Sequence, residues 1–145
     1  MNKIIILDTG PLGRIAHPRP NIEMVNWFEK VLKSDVMVII PEIADYELRR
    51  NFILEDLKKS INRLDELKSV FKYLPINTET MLKAAELWAK VRKIGKPTAD
   101  SKALDGDVIL AAQAIQANAI VVTENIGHLS LMTSAIRWND YLPGI

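Results

Sequence analysis

Four aliphatic residues in a row, Ile4-Ile5-Ile6-Leu7, stand near the head of the chain, and Asp8 ends the run abruptly. A strand with one wet face alternates apolar and polar residues. A strand without that alternation is buried on both faces, the pattern of parallel sheets covered by helices on either side. Val36-Met37-Val38-Ile39-Ile40, stopped by Pro41, and Ala119-Ile120-Val121-Val122-Thr123 repeat it. Val70 to Leu74, ended by Pro75, reads as a further strand, and Ala135 to Trp138 as a short last one.

Helical patterns fill the intervals. Thr9 or Gly10 caps a short helix with Pro11 in its first turn, and Pro18 and Pro20 end it. Asn21 is an N-cap for a helix to about Leu32, with Val25, Phe28, Val31 and Leu32 as its apolar stripe. A helix over 42–50 follows Pro41. A separate amphipathic helix then carries Ile53, Leu54, Leu57, Ile61, Leu64 and Leu67 at spacings of three and four. Thr78 starts a helix to about Ile94, capped by Gly95. Residues 96–104 read as a polar loop, and a helix over 107–117 leads into the strand at 119. Strands alternating with helices predict an α/β fold with a mostly parallel sheet of roughly five strands, as a single domain over 1–145.

Composition narrows the chemistry. Hydrophobic residues make up 48% and charged residues 26%, as in an ordinary soluble globular chain. The net charge of +1 gives no global field that demands a polyanionic partner. There is no cysteine, which excludes disulfides, thiolate nucleophiles and cysteine-ligated zinc and suits a reducing cytosol. No run approaches the roughly 20 apolar residues of a membrane helix, so a cytoplasmic protein is expected.

In parallel α/β sheets, ligands gather outside the carboxyl ends of the strands. Asp8 follows the first strand. Glu47 lies on the helix after the second, four residues after Ile43 and beside Leu48, so it shares the apolar stripe. Asp107 opens a helix that is apolar almost all round. Each acid has a plainer reading. Asp8 serves equally as a helix cap, Asp107 as a first-turn acid complementing the helix dipole, and Glu47 as a surface residue if the register is off by one. Jointly the plain readings weaken, because one fold aims all three at one place. Carboxylates gathered near a core resist ionisation unless a cation joins them, and a divalent ion held by oxygen ligands is the simplest answer. Thr9 and Thr123 at the same edge are placed to orient a carboxylate or a bound water, or to act as caps. Asn125 ligates through its carbonyl oxygen or makes a turn. His17 and His128 have no catalytic partner in the sequence and read as surface residues.

Two stretches are locally basic. Arg49 to Arg63 holds five basic and two acidic residues, and Lys90 to Lys102 five and one. Such runs are solvated helix faces, or they hold a phosphate backbone beside the acids. Only Tyr46 and Tyr73 suggest base stacking, so sequence-specific single-strand reading has no support.

Taken in order, Leu7-Asp8-Thr9, then Pro41-Glu42-Ile43-Ala44-Asp45-Tyr46-Glu47-Leu48, then Asp107-Val108-Ile109-Leu110-Ala111-Ala112-Gln113-Ala114 with Ile120-Val121-Val122-Thr123-Glu124-Asn125 behind it, resemble the motifs of PIN-domain ribonucleases of the VapC toxin type. The resemblance covers almost the whole chain. It implies a three-layer α/β/α fold and a Mg²⁺- or Mn²⁺-dependent endoribonuclease site in which Asp8, Glu47 and Asp107 match the three acids. It also implies an accessory ligand from Asp105, and Asn125 where members carry Asp or Asn. Gly10 stands where Ser is common, and His128-Leu129 replaces an acid-aromatic pair. The resemblance further implies an RNA substrate, a homodimer and a cognate antitoxin.

Other classes fit less well. A receiver domain needs an acceptor Asp after its third strand, where Lys72-Tyr73-Leu74-Pro75 offers none. A haloacid-dehalogenase-like phosphatase wants Asp-x-Asp after the first strand, where Gly10 holds the second position. No Gly-rich phosphate loop is present. The alternative from another class is a non-catalytic PIN-like module that binds RNA or protein through the basic helices.

Overall fold

The computed structural model describes residues 3–95 and 101–143, with side chains from Leu104 onward in the second stretch. Five strands, β1 (Ile4–Leu7), β2 (Met37–Pro41), β3 (Lys72–Leu74), β4 (Ile120–Thr123) and β5 (Ala135–Arg137), form one sheet in the order β3-β2-β1-β4-β5. Every pairing is parallel, with Ile6 opposite Ile39 on one side and Val121 on the other. Six helices connect the strands: α1 (Thr9–Ala16), α2 (Ile22–Lys33), α3 (Glu42–Leu54), α4 (Lys58–Val70), α5 (Thr78–Ile94) and α6 (Ser101–Ala117). Among the described residues no helix is long and apolar enough to cross a membrane.

Strand β1 shows why the unbroken apolar run matters. Ile5 and Leu7 pack with Leu12, Trp27, Val38, Ile40 and Leu64 on one face of the sheet. Ile6 packs with Ile39, Ile43, Leu110 and Val121 on the other. All three β1 residues are buried, and each contributes about 1.5–3 kcal/mol. A third cluster, with Ala84, Leu87, Val91, Leu104 and Val108, joins α5 to α6. The three-layer arrangement expected from the sequence is therefore the observed one.

Several boundaries differ. Helix α3 runs on through Leu54, so Ile53 and Leu54 end it instead of opening the next helix, and they stand 63% and 83% exposed. The break falls at Asp56, which takes a left-handed conformation (φ 57°) that an Asp tolerates, while the Leu57 amide donates back to Phe52 O at 2.8 Å. A spacing of threes and fours survives such a turn, which is why periodicity alone does not reveal it. Helix α6 begins at Ser101, six residues before Asp107, because Leu104 and Val108, one turn apart, are buried against α5. Packing overrides the turn signal of Asp105-Gly106. The polar loop expected over 96–104 is thus partly helical; its residues 96–100, and with them part of the second basic stretch, lie outside the described residues. Strand β3 is shorter than expected, and Val70, which ends α4, is exposed. Asp8, not Thr9 or Gly10, is the N-cap of α1.

Two polar clamps hold the helices in place. Gln113, fully buried on α6, accepts from the Ile43 amide (3.3 Å) and donates to Leu74 O (2.8 Å), tying α6 to the start of α3 and the end of β3. Asp45, 7% exposed, accepts twice from Arg49 (2.9 and 3.2 Å) and lies 3.4 Å from Lys68 Nζ. Arg49 also reaches Asp65 at 2.6 Å, so α3 and α4 share one ionic network. Gln113→Leu keeps the volume but leaves a buried amide and a buried carbonyl unsatisfied. We expect it to cost about 2–4 kcal/mol, read as a lower urea midpoint with an unchanged slope.

Candidate metal centre

Asp8, Thr9, Glu47 and Thr123 sit at or just beyond the carboxyl ends of β1, β2 and β4. Asp8 follows β1 directly, and its amide extends the sheet ladder by donating to Val122 O at 3.0 Å. Its carboxylate is held at both oxygens: Oδ1 accepts from the Thr9 amide and Oδ2 from the Thr123 hydroxyl, each at 2.7 Å. Glu47, one turn and a half into α3, is held by the Thr9 hydroxyl, which donates to its Oε1 at 2.8 Å. Thr9 thus contacts both acids, one through its backbone and one through its side chain.

Asp107 reaches the same place from the second turn of α6. Asp8 and Asp107 line one cavity of about 710 Å³, together with Gly10, Thr123, Asn125 and His128. Glu47 stands against α6 at Gly106, where an added Cβ would lie 2.7 Å from its Oε2. Gly106 is therefore the gap that lets α3 and α6 bring two acids together. The electrostatics record this closeness. Burial, and then the charges of Asp8 and Glu47, push the Asp107 carboxyl up to about 6. Burial also raises Asp8, against the opposing hydrogen bonds from Thr123 and the Thr9 amide.

The other residues singled out from the sequence fall differently. Asp105 lines a separate groove between α5 and α6 with Met81 and Trp88, because positions two apart on a helix face opposite ways. It does not reach the acid cavity. Asn125 lines the cavity, but its side-chain oxygen accepts from the Gly127 amide at 3.1 Å, a local turn, and its own amide donates to the Thr123 hydroxyl at 3.2 Å. Thr123 is buried and serves Asp8 and the turn together. His128, read from sequence as a surface residue, is half-buried on the cavity wall. His17 is exposed in a different groove.

Sequence reasoning missed Gly106, Glu124 and Arg14. Glu124 lies over Gly10, where a Cβ would meet its Cγ at 2.7 Å, and it pairs with Arg14. Gly10 in place of a larger residue is what permits that approach, and this departure from the usual Ser was the visible signal.

Asp8, Glu47 and Asp107 offer hard oxygen donors of the kind Mg²⁺ and Mn²⁺ take. Their burial and mutual repulsion are conditions under which a divalent cation binds in exchange for protons. Among the described residues, no three acids are already gathered into a cage able to hold an ion. The donor chemistry fits, and the carboxylates would have to draw together.

The raised carboxyls carry a sign for stability. An acid that binds its proton more tightly when folded favours the folded state at low pH, and that contribution is lost as pH rises from the ordinary Asp range through about 6. Asp107→Asn should therefore raise the melting temperature in metal-free buffer at pH 7 and change it little at pH 4. Equal effects at both pH values would remove the repulsion from the account.

Comparison with known proteins adds the following. Residues 5–130 match the PIN domain family. The chain is 26% identical over 145 residues to Toxin FitB of Neisseria gonorrhoeae, spanning 94% of this chain and 100% of that protein. Its fold matches VapBC2 from Rickettsia felis, solved bound to a promoter DNA fragment, with a TM-score of 0.76 at 20% identity over 93% of this chain and 98% of the other. It matches FitAcB from Neisseria gonorrhoeae with a TM-score of 0.73 at 24% identity over 94% and 99%.

Proposed function

We propose, on the premise that this chain belongs to the PIN-domain family, that it is a metal-dependent endoribonuclease hydrolysing RNA phosphodiester bonds and the toxin of a type II toxin–antitoxin pair. The observation that carries the chemistry is Asp107: two further acids from two other elements lie close enough to raise its carboxyl. The toxin assignment rests on likeness to Toxin FitB. A cognate antitoxin comes with that reading, supported by the likeness to the two-component VapBC2 and FitAcB structures, and a homodimer is part of the same proposal.

Asp8, Glu47 and Asp107 would hold the ion. When bound, Mg²⁺ or Mn²⁺ supplies activation of a water and neutralises charge building on the phosphate. The chain's own residues do the rest. Thr9 and Thr123 keep Asp8 in one orientation, and Thr9 does the same for Glu47, so the donor oxygens do not have to be ordered at the moment of reaction. One of the three carboxylates accepts the proton of the attacking water at an oxygen. Glu124 is tied to Arg14, which leaves it partly neutralised at the cavity rim.

One observation favours the second reading, a non-catalytic binding module: the absence of a ready-made cage among the described residues. Thermal melts separate the two. A working site should gain about 2.7 kcal/mol at a Mn²⁺ concentration one hundred times the Kd, reversed by EDTA. A vestigial one should gain nothing.

Cleavage of a mixed RNA pool with Mg²⁺ or Mn²⁺ is the direct test. Asp8→Asn should lower the rate by roughly 10²–10³-fold with the fold intact, the range for losing one electrostatic contact to the transition state. Parent-rate cleavage by that variant would end the assignment. Gly106→Ala makes a finer point. The methyl group displaces Glu47, so cleavage should fall, while the helix gains up to about 1 kcal/mol of propensity and the melting temperature holds or rises.

A further inference from the structure

We propose that a single-stranded RNA lies along a groove leading from the acid cavity past Arg14, His17 and Arg19 to the start of α4, its phosphates taken by Arg19, Lys58 and Lys59. This rests on the ribonuclease reading and extends it to the path of the substrate.

Three cavities share walls in series. The acid cavity shares Gly10 and Glu124 with a second of about 520 Å³. The second shares Gly13, His17 and Arg19 with a third of about 500 Å³, whose far wall holds Lys58 and Lys59. Gly10 and Gly13, three apart on α1, keep the floor of this path low; side chains there would strike Glu124 and Leu48 at 2.7 and 2.9 Å.

The charges along the path are the available ones. In the basic stretch from Arg49 to Arg63, Arg49 is spent on Asp45 and Asp65, Arg50 lies over Tyr46, and Arg63 donates to Ile15 O. That leaves Lys58 and Lys59, which, like Arg19, form no ion pair among the described residues. Two acids also line the path, Glu124 and Asp56, and Glu124 is paired with Arg14. Helix α4 adds its own field: Leu57 gives no side-chain cap, so the first amides of a 13-residue helix open beside the two lysines. His17 Nδ1 accepts from the Arg19 amide at 2.9 Å, which assigns the ring proton to Nε2 as a further donor. Continuity with the acids and the excess of cations fit a phosphodiester backbone.

Binding is read in the Asp8→Asn background, so the probe is not consumed. The probes are random-sequence single-stranded RNAs of about 4 and about 16 nucleotides and an oligoglutamate peptide. Arg19→Ala/Lys58→Ala/Lys59→Ala should weaken binding of the longer RNA at least tenfold and flatten its salt dependence by about 2 in log–log slope between about 50 and 200 mM salt. Lys30→Ala/Lys33→Ala, on α2, removes the same kind of charge outside the groove and should leave binding unchanged. Circular dichroism melts check the fold of each. An unchanged salt slope in the triple variant overturns the proposal, as does equal binding of the two RNA lengths by the Asp8→Asn protein. Loss confined to the acidic peptide would assign the groove to a protein partner and overturn it too. Cleavage by the parent protein is assayed separately. If the parent fails to cleave while the triple variant loses RNA, the nuclease reading falls and the groove stands.

Discussion

Burial of β1 on both faces is the constraint from which the rest of the site follows. A strand covered on both sides has no tolerance for slippage, since a shift by one residue would send Ile6 to the wrong layer and Asp8 into the core. With the register held by Ile39 and Val121, the chain leaves the sheet at a defined point, and Asp8 is the first residue outside it. The carboxylate then completes two structures at once. It caps α1 through the Thr9 amide and closes onto the end of β4 through Thr123.

A helix cap and the proposed site role are compatible in this double use. Asp8 is a cap, and being one is what keeps it pointed at the cavity. Thr9 extends the arrangement to Glu47, so the acids of β1 and α3 are linked through a single residue. Among the described residues Asp107 has no such support. Burial, and then repulsion from Asp8 and Glu47, push its carboxyl up to about 6. The fold gathers like charges and holds them with hydrogen bonds and packing from residues that have no part in the chemistry, such as Gln113 and Leu104.

Much of this was legible in the sequence because it is local. The strand ends at Leu7, Thr123 and Leu74 are marked by a change from aliphatic to polar residues or by proline. The capping roles of Asn21 and Gly95 follow from their own backbone chemistry. Glu47 could be picked out because its position relative to Ile43 and Leu48 is set by helical phase alone. Asp105 misled because helical phase also separates it from Asp107, and the helix was taken to begin too late for that phase to apply. Arg49 and Arg63 looked like surface charge and turned out to be internal ties, since a basic side chain carries no mark in the sequence of the acid or carbonyl it will meet.

The sequence by itself therefore determined the layered parallel fold, the edge where polar groups collect, and the place of Asp8 at the end of the first strand. Hydrophobic patterning is read one segment at a time and needs no knowledge of neighbours. Tertiary structure alone decided that Gly106 is the gap Glu47 needs, that Gly10 yields its space to Glu124, and which lysines and arginines remain available along the groove. Those are relations between segments far apart in the chain, and they exist only once packing has set the distances.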